Sequence, residues 1–238
     1  MSTEKIGFWG YPDPDVINSV KKEYPNHEWI DLDLDFGYSD RNILPESYCK
    51  IIKNIINNSI EINPVKIVAP IGKDKCDSGW FAAKVLKDLG FNVEETKYEQ
   101  LENKKDIVIS KSGLPLYEKV DKIMNNIITP LEYDYPYVEP KFGFWGVPPN
   151  DMEILKLFPN ETHVYGWVRC VEAGTPADID LEMYVDEDVP TVFYAQAFCS
   201  KAQLAKYLAD KYNGLYIDID DYANNSIKAK IEAFLRLR

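Results

Sequence analysis

Four cysteines are the residues of this 238-residue chain best suited to covalent chemistry or soft-metal binding. Cys76 and Cys199 each come just before a helical pattern, where free backbone N–H groups stabilise a thiolate. Cys170 follows an apolar stretch, and Cys49 falls inside a helical pattern. No two of them have the CxxC spacing typical of zinc or redox sites, so we expect free thiols. The alternative at each position is a small side chain that only packs.

The stretch VRCVEAGTPAD, at positions 168–178, is the densest polar segment in an otherwise apolar region. Arg169 is suited to pairing with a carboxylate or phosphate, and Glu172 to proton transfer. An ion pair between Arg169 and Glu172 would explain the same residues without a ligand. We predict Cys199, Cys170 and Glu172 as catalytic residues and Arg169 as a ligand contact.

Two aspartates in the segment DLDLD, Asp33 and Asp35, could bind a divalent cation. The alternative is one solvated face of a strand. His27 and His163 each open a strand pattern, away from the carboxyl end where ligands bind. A catalytic Cys–His pair is therefore not expected.

The motif GFWG occurs twice, at 7–10 and 143–146, and similar strand and helix patterns follow each copy. Further landmarks recur in the same order: YPN at 24–26 with FPN at 158–160, Pro64 with Pro190, and Cys76 with Cys199. This agreement predicts an internal duplication. We place one lobe at 1–110, a helix with a Pro/Tyr-rich connector at 111–139, and a second lobe at 140–238.

Strand patterns alternate with helix patterns in both lobes, which predicts two tandem related α/β lobes. Each is expected to hold a small, mostly parallel sheet with helices on both faces, either flavodoxin-like or Rossmann-like. In detail, THVYGWVRC is predicted as one strand, NDMEILKLFP as a helix and DIVISKSG as an extra strand.

Parallel sheets of this kind bind ligands at the carboxyl ends of their strands. The rule gathers predicted ligand-binding residues on two edges: Trp9, Gly10, Tyr11 and Cys76, with Lys73 nearby, on the first, and Trp145, Gly146, Arg169 and Gln196 on the second. The glycines of GFWG either let a ligand approach the backbone or only make a tight turn. No GxGxxG or Walker sequence is present, so a dinucleotide site is not indicated.

A formal net charge of −12 disfavours binding to nucleic acids and to anionic membranes. We expect a cytoplasmic protein, because the apolar runs are far shorter than the roughly 20 residues that cross a bilayer. The acidity is sufficiently explained by solubility.

Two function classes fit these features best, and a nucleotide sensor is a weaker third option because the phosphate-loop signatures are missing. The layout is similar, at the level of fold, to tetrapyrrole-handling synthases and chelatases and to two-lobed ligand-binding proteins. The leading hypothesis is an enzyme or cofactor-handling protein that binds a small anionic ligand, aromatic or macrocyclic like a tetrapyrrole, or a soft metal, in the cleft between the lobes, with thiol participation. The alternative is a non-catalytic subunit or scaffold that binds a protein partner or self-associates. Neither cofactor nor metal is specified by the sequence.

Overall fold

The computed structural model describes residues 4–72, 75–97, 105–129, 133–176, 178–219 and 221–238. Contacts divide the chain into two compact units, Met1–Leu101 and Glu102–Arg238. Each unit contains a sheet of four parallel strands flanked by helices. The predicted fold class, two tandem α/β lobes, is therefore confirmed.

The first unit alternates strands and helices along the chain. Its elements are β1 (Lys5–Phe8), α1 (Pro14–Glu23), β2 (Glu28–Asp31), α2 (Lys50–Ile62), β3 (Lys66–Pro70), α3 (Asp77–Asp88) and β4 (Val93–Thr96). The strand order is β2-β1-β3-β4, which matches the first four strands of the flavodoxin-like order. Helix α1 begins where the sequence favours it, because Pro14 stands at its first turn and the Asp13 side chain accepts from the Asp15 N–H.

The second unit repeats this arrangement after an additional helix. Its elements are α4 (Leu116–Asn125), β5 (Phe142–Trp145), β6 (Thr162–Tyr165), α5 (Trp167–Glu172), α6 (Ile179–Met183), β7 (Thr191–Ala195), α7 (Lys201–Lys211), β8 (Leu215–Asp218) and α8 (Asn225–Leu237), with 3₁₀ helices at Ile109–Lys111 and Met152–Leu157. The strand order is β6-β5-β7-β8.

The two GFWG copies occupy the same place in their sheets. Gly7 pairs with Ile67 on β3, and Gly143 pairs with Thr191 on β7. Both copies thus lie on the strand whose two neighbours are the second and third strands of the unit. The predicted internal repeat is confirmed by this shared topology.

Three local predictions are wrong. The strand predicted for THVYGWVRC ends at Tyr165, because Gly166 adopts a positive φ of 70° and starts helix α5. The helix predicted for NDMEILKLFP is a 3₁₀ helix, Met152–Leu157. The extra strand predicted for DIVISKSG is a 3₁₀ turn, Ile109–Lys111, because its N–H groups bind the Glu172 carboxylate instead of another strand.

The helix predicted between the lobes is α4, and it packs against β6 and α5 within the second unit. Lys119 on this helix is fully buried, and its Nζ donates to the carbonyl oxygens of Asn160 at 2.9 Å and Thr162 at 2.6 Å. Part of the predicted connector, residues 130–132, lies outside the described residues. Across the described chain, no helix combines the length and apolar character needed to cross a membrane.

Candidate functional site

The aromatic residues of the GFWG turns belong to the cores of their units. Trp9 and Trp145 are both buried, and the Trp145 indole N–H donates to the carbonyl oxygen of Glu182 at 2.7 Å. Tyr11 is buried as well. Their predicted ligand contacts stay a prediction, and the packing alone accounts for these rings.

The two turn glycines are needed for different reasons. Gly10 has a φ of 52°, and a Cβ there would meet only Pro70, at 3.5 Å. A Cβ at Gly146 would lie 2.5 Å from the carbonyl oxygen of Tyr194. The first glycine therefore serves backbone conformation and the second close packing, and both reasons are internal to the fold.

Acidic side chains already occupy the starts of the elements that follow these turns. Asp13 accepts from the Asp15 N–H at 2.9 Å, and Asp151 accepts from the N–H groups of Glu153 and Ala223 at 3.2 and 3.0 Å. A negative group bound there would meet a carboxylate. The turn is thus better explained as a fold-making feature than as an anion site.

The predicted catalytic cysteines lie in different surroundings. Cys170 is fully buried on α5, its Sγ is 3.8 Å from the carbonyl oxygen of Asp178, and burial raises its pKa to about 12. Its thiol is therefore protonated at neutral pH. Cys199 lies partly exposed in the turn before α7, and Cys76 is exposed directly before α3. Of the cysteines predicted to act, Cys199 and Cys76 are the accessible ones.

Glu172 is completely engaged by the chain itself. Its carboxylate accepts from the N–H groups of Val108 at 2.8 Å, Ile109 at 2.5 Å and Ser110 at 2.9 Å, and from the Ser110 hydroxyl at 2.5 Å. These bonds tie α5 to a segment more than 60 positions away. They favour a structural role over the predicted catalytic one.

Arg169 is a buried cation between two aromatic rings. It is 2% exposed, and its guanidinium carbon lies 4.9 Å from the centre of the Tyr165 ring and 4.8 Å from that of Tyr184. Its Nε and one terminal nitrogen have no hydrogen-bond partner among the described residues, and burial lowers its pKa. The hydrogen bonds of the Glu172 carboxylate go to Val108, Ile109 and Ser110 and none goes to Arg169 among the described residues, although the charge of Glu172 opposes the lowering of the Arg169 pKa.

A second buried polar group without partners follows β7. Gln196 is 1% exposed, and neither its amide nitrogen nor its amide oxygen has a hydrogen-bond partner within the described ranges. The hydroxyl of Thr175, just after α5, is also buried and also has no hydrogen-bond partner among the described residues. Because α5 follows β6 and Gln196 follows β7, these residues lie on the two segments that leave the strands flanking β5.

Sequence reasoning missed a carboxyl pair in the first unit. Asp33 pairs with Asp31, whereas Asp35 lies 3.8 Å from Lys50. Burial raises the pKa of both paired groups, and the negative charge of Asp33 raises that of Asp31 further. Asp33 also accepts from the Gly10 N–H at 3.0 Å. The unused signal was that a turn N–H at Gly10 requires an acceptor.

The predicted divalent-cation site is not supported by a larger cluster. No group of three or more metal-binding side chains lies among the residues that the structure describes. Lys73, predicted on the first edge, is outside those residues.

In comparisons with known proteins, the chain matches no protein-family model, and no curated protein matches its sequence. Its function must therefore be inferred from its own residues.

Proposed function

We propose that the second unit binds a small anionic ligand and that Arg169 contacts the anionic group. The observation that carries this proposal is a buried guanidinium with two nitrogens that have no hydrogen-bond partner in the described chain. Removing an ion from water costs several kcal/mol unless it is paired. The rings of Tyr165 and Tyr184 offset part of that cost, at about 2 kcal/mol each when desolvated. A carboxylate or phosphate would offset the rest.

The surroundings of Arg169 favour a ligand with an aromatic or macrocyclic body. The rings of Tyr165 and Tyr184 cover the guanidinium, so an anion must approach its N–H groups in the plane of the guanidinium. Tyr184 is 50% exposed, so its ring is the cover that can move towards solvent. A flat ligand that replaces this ring would keep the stacking and add the anionic contact. Cys199 is the partly exposed thiol that remains for thiol chemistry or for a soft metal.

The test is the content of the protein purified from its own host without oxygen. Native mass spectrometry, metal analysis and the absorption spectrum would be compared for the wild type, Arg169→Met and Arg169→Lys. We expect a bound small anion in the wild type, loss of it in Arg169→Met and partial retention in Arg169→Lys. Arg236→Met, an exposed position on α8, is the matched control.

Two outcomes would contradict the proposal. One is equal ligand content in the wild type and in a folded Arg169→Met protein, verified by circular dichroism. The other is a wild-type protein with no bound small molecule and no thermal stabilisation by a panel of carboxylates and phosphates.

A second candidate function, binding of a protein partner, is favoured by the first unit. Exposed apolar side chains follow β2 and open α3: Leu34, Phe36, Tyr38, Ile43, Trp80 and Phe81. The rings of Phe36 and Tyr38 are in contact, with centroids 6.1 Å apart, and contiguous exposed apolar surface marks interaction sites. Trp80→Ser should then remove a partner chain seen by native mass spectrometry, while Leu89→Ser, at the far end of α3, should not. Retention of that partner by Trp80→Ser would exclude the surface.

A further inference from the structure

We infer that the turn from Gln196 to Ser200 is a second ligand-binding site, which recognises a planar group carrying an N–H donor beside a carbonyl acceptor. Cyclic amides and the edges of pyrimidines and purines have this arrangement. The inference goes beyond the proposed function, because it concerns another side chain and an uncharged group. It does not depend on Arg169.

The buried amide of Gln196 is costly in the free protein. Each buried donor or acceptor without a partner costs about 1–3 kcal/mol. Gln196 leaves both ends of its amide unpaired within the described chain. Most buried polar side-chain atoms have a partner, so this exception requires a reason.

The chemistry of the side chain defines the group that fits it. A primary amide presents an N–H donor and a carbonyl acceptor side by side in one plane. A carboxylate or a fully ionised phosphate can accept from the nitrogen but has no proton to donate to the oxygen. A cyclic amide satisfies both through two parallel hydrogen bonds.

The position of Gln196 is where this class of sheet binds ligands. Strand β7 lies next to β5, and the chain reaches it by crossing from β6 on the other side of β5. Such a reversal of strand order opens a crevice at the carboxyl ends. Gln196 is the first residue beyond the carboxyl end of β7.

The duplicated unit shows that the fold does not require this amide. Ile67 and Thr191 occupy the same ladder position opposite Gly7 and Gly143. Gln196 comes five residues after Thr191, and Gly72 comes five residues after Ile67. Gly72 is therefore the residue of the first unit that corresponds to Gln196. A glycine, which has no side chain, therefore stands at that point in the first unit.

The turn also stores backbone strain. Phe198 has a φ of 59° and is 67% exposed. A left-handed conformation costs a residue of this type about 1–3 kcal/mol. The Ser200 side chain makes no capping hydrogen bond to α7. Binding requires this turn to move so that Gln196 meets the ligand, and release of the strain at Phe198 would favour that movement.

The first test separates a binding role from a structural one. Replacing both hydrogen-bonding ends with an apolar group of similar shape removes the unpaired atoms. Gln196→Leu should therefore leave the melting temperature unchanged or raise it, and Gln203→Leu, on the exposed face of α7, is the matched control. A clear loss of stability in Gln196→Leu alone would show that the amide is paired and would overturn the inference.

The second test measures binding to the full chain by ligand-observed NMR. Uracil, hypoxanthine and 2-pyrrolidone are the probes, and 1,3-dimethyluracil, which keeps its carbonyl groups but lacks N–H donors, is the control. We expect saturable binding of at least one probe and no binding of the control. In Gln196→Leu the affinity for that probe should fall by a factor of about ten or more.

Unchanged affinity in Gln196→Leu, or no binding of any probe at millimolar concentration, would overturn the inference. Arg169→Met should leave probe binding intact. A failure of the anion proposal would therefore be visible separately from a failure at Gln196.

Discussion

Lys119 provides a direct test of the packing in the second unit. Its ammonium is fully buried and contacts the carbonyl oxygens of Asn160 and Thr162. Burial lowers its pKa from 10.5 to about 8, and the negative charges of Glu161 and Glu172 oppose that shift only partly. The folded protein thus tolerates a charged Lys119 poorly.

The size and sign of the effect follow from this pKa. Below about pH 8 both folded and unfolded chains carry the proton on Lys119, and the folded state bears the cost of burying it. Between about pH 8 and 10.5 the unfolded chain binds more protons, so the free energy of unfolding rises with pH. At about 1.4 kcal/mol for each pH unit of difference, the full gain is about 3 kcal/mol.

The assay is unfolding by urea at about pH 7 and about pH 10, for the wild type and Lys119→Met. The wild type should gain about 2–3 kcal/mol more than the variant over this interval, because groups titrating in both proteins cancel in the comparison. Lys84→Met, which removes an exposed charge from α3, should behave as the wild type does. Parallel pH dependence in the wild type and Lys119→Met would refute the reasoning.

Three further changes test other parts of the structure. Asp31→Asn should raise the melting temperature near neutral pH but not in acid, because the raised pKa values of Asp31 and Asp33 make the folded state lose stability as pH rises through them. Asp88→Asn is the exposed control, and an equal effect of Asp31→Asn at both pH values would contradict the pairing. Glu172→Gln should lower the free energy of unfolding by about 3 kcal/mol in guanidinium titrations, and a loss under about 0.5 kcal/mol would show that its four hydrogen bonds contribute little. Cys199→Ser should reduce ligand-dependent activity with an unchanged circular dichroism spectrum, and undiminished activity would remove the thiol from the mechanism.

The fold was predictable because its signals are local and repeated. Alternating strand and helix patterns, together with two copies of GFWG, predict parallel sheets and a duplication without any long-range information. The error at β6 arose from one backbone conformation. Gly166 turns the chain out of the strand, and the apolar pattern on either side of it is compatible with both a strand and a buried helix.

The site was less predictable, because the state of a polar group depends on distant parts of the chain. Glu172 looked available for catalysis, but its partners lie more than 60 positions earlier. Arg169 and Gln196 were chosen for their residue type and edge position. That both are buried with unpaired atoms follows only from tertiary packing, which no spacing rule describes.

The two units keep the same turn but differ in the polar groups around it. In the first, the N–H of Gly10 donates to the side chain of Asp33; in the second, the N–H of Gly146 faces the backbone oxygen of Tyr165 at 3.4 Å. Phe8 pairs with Asp31 in the first sheet, and Phe144 pairs with Val164 in the second. Two residues beyond these partners, Asp33 corresponds to Gly166, so the second unit has no carboxylate at this point.

The third strand shows the opposite difference, because Gln196 stands where the first unit has Gly72. The carboxyl edge of the second sheet lacks the equivalent of Asp33 and carries the amide of Gln196. It is therefore better suited than the first to bind a neutral or anionic ligand. The duplication therefore supplies an internal control for binding. Introducing the first unit's residue, as Gln196→Gly, should abolish recognition of the planar group, because it removes the amide that makes both hydrogen bonds.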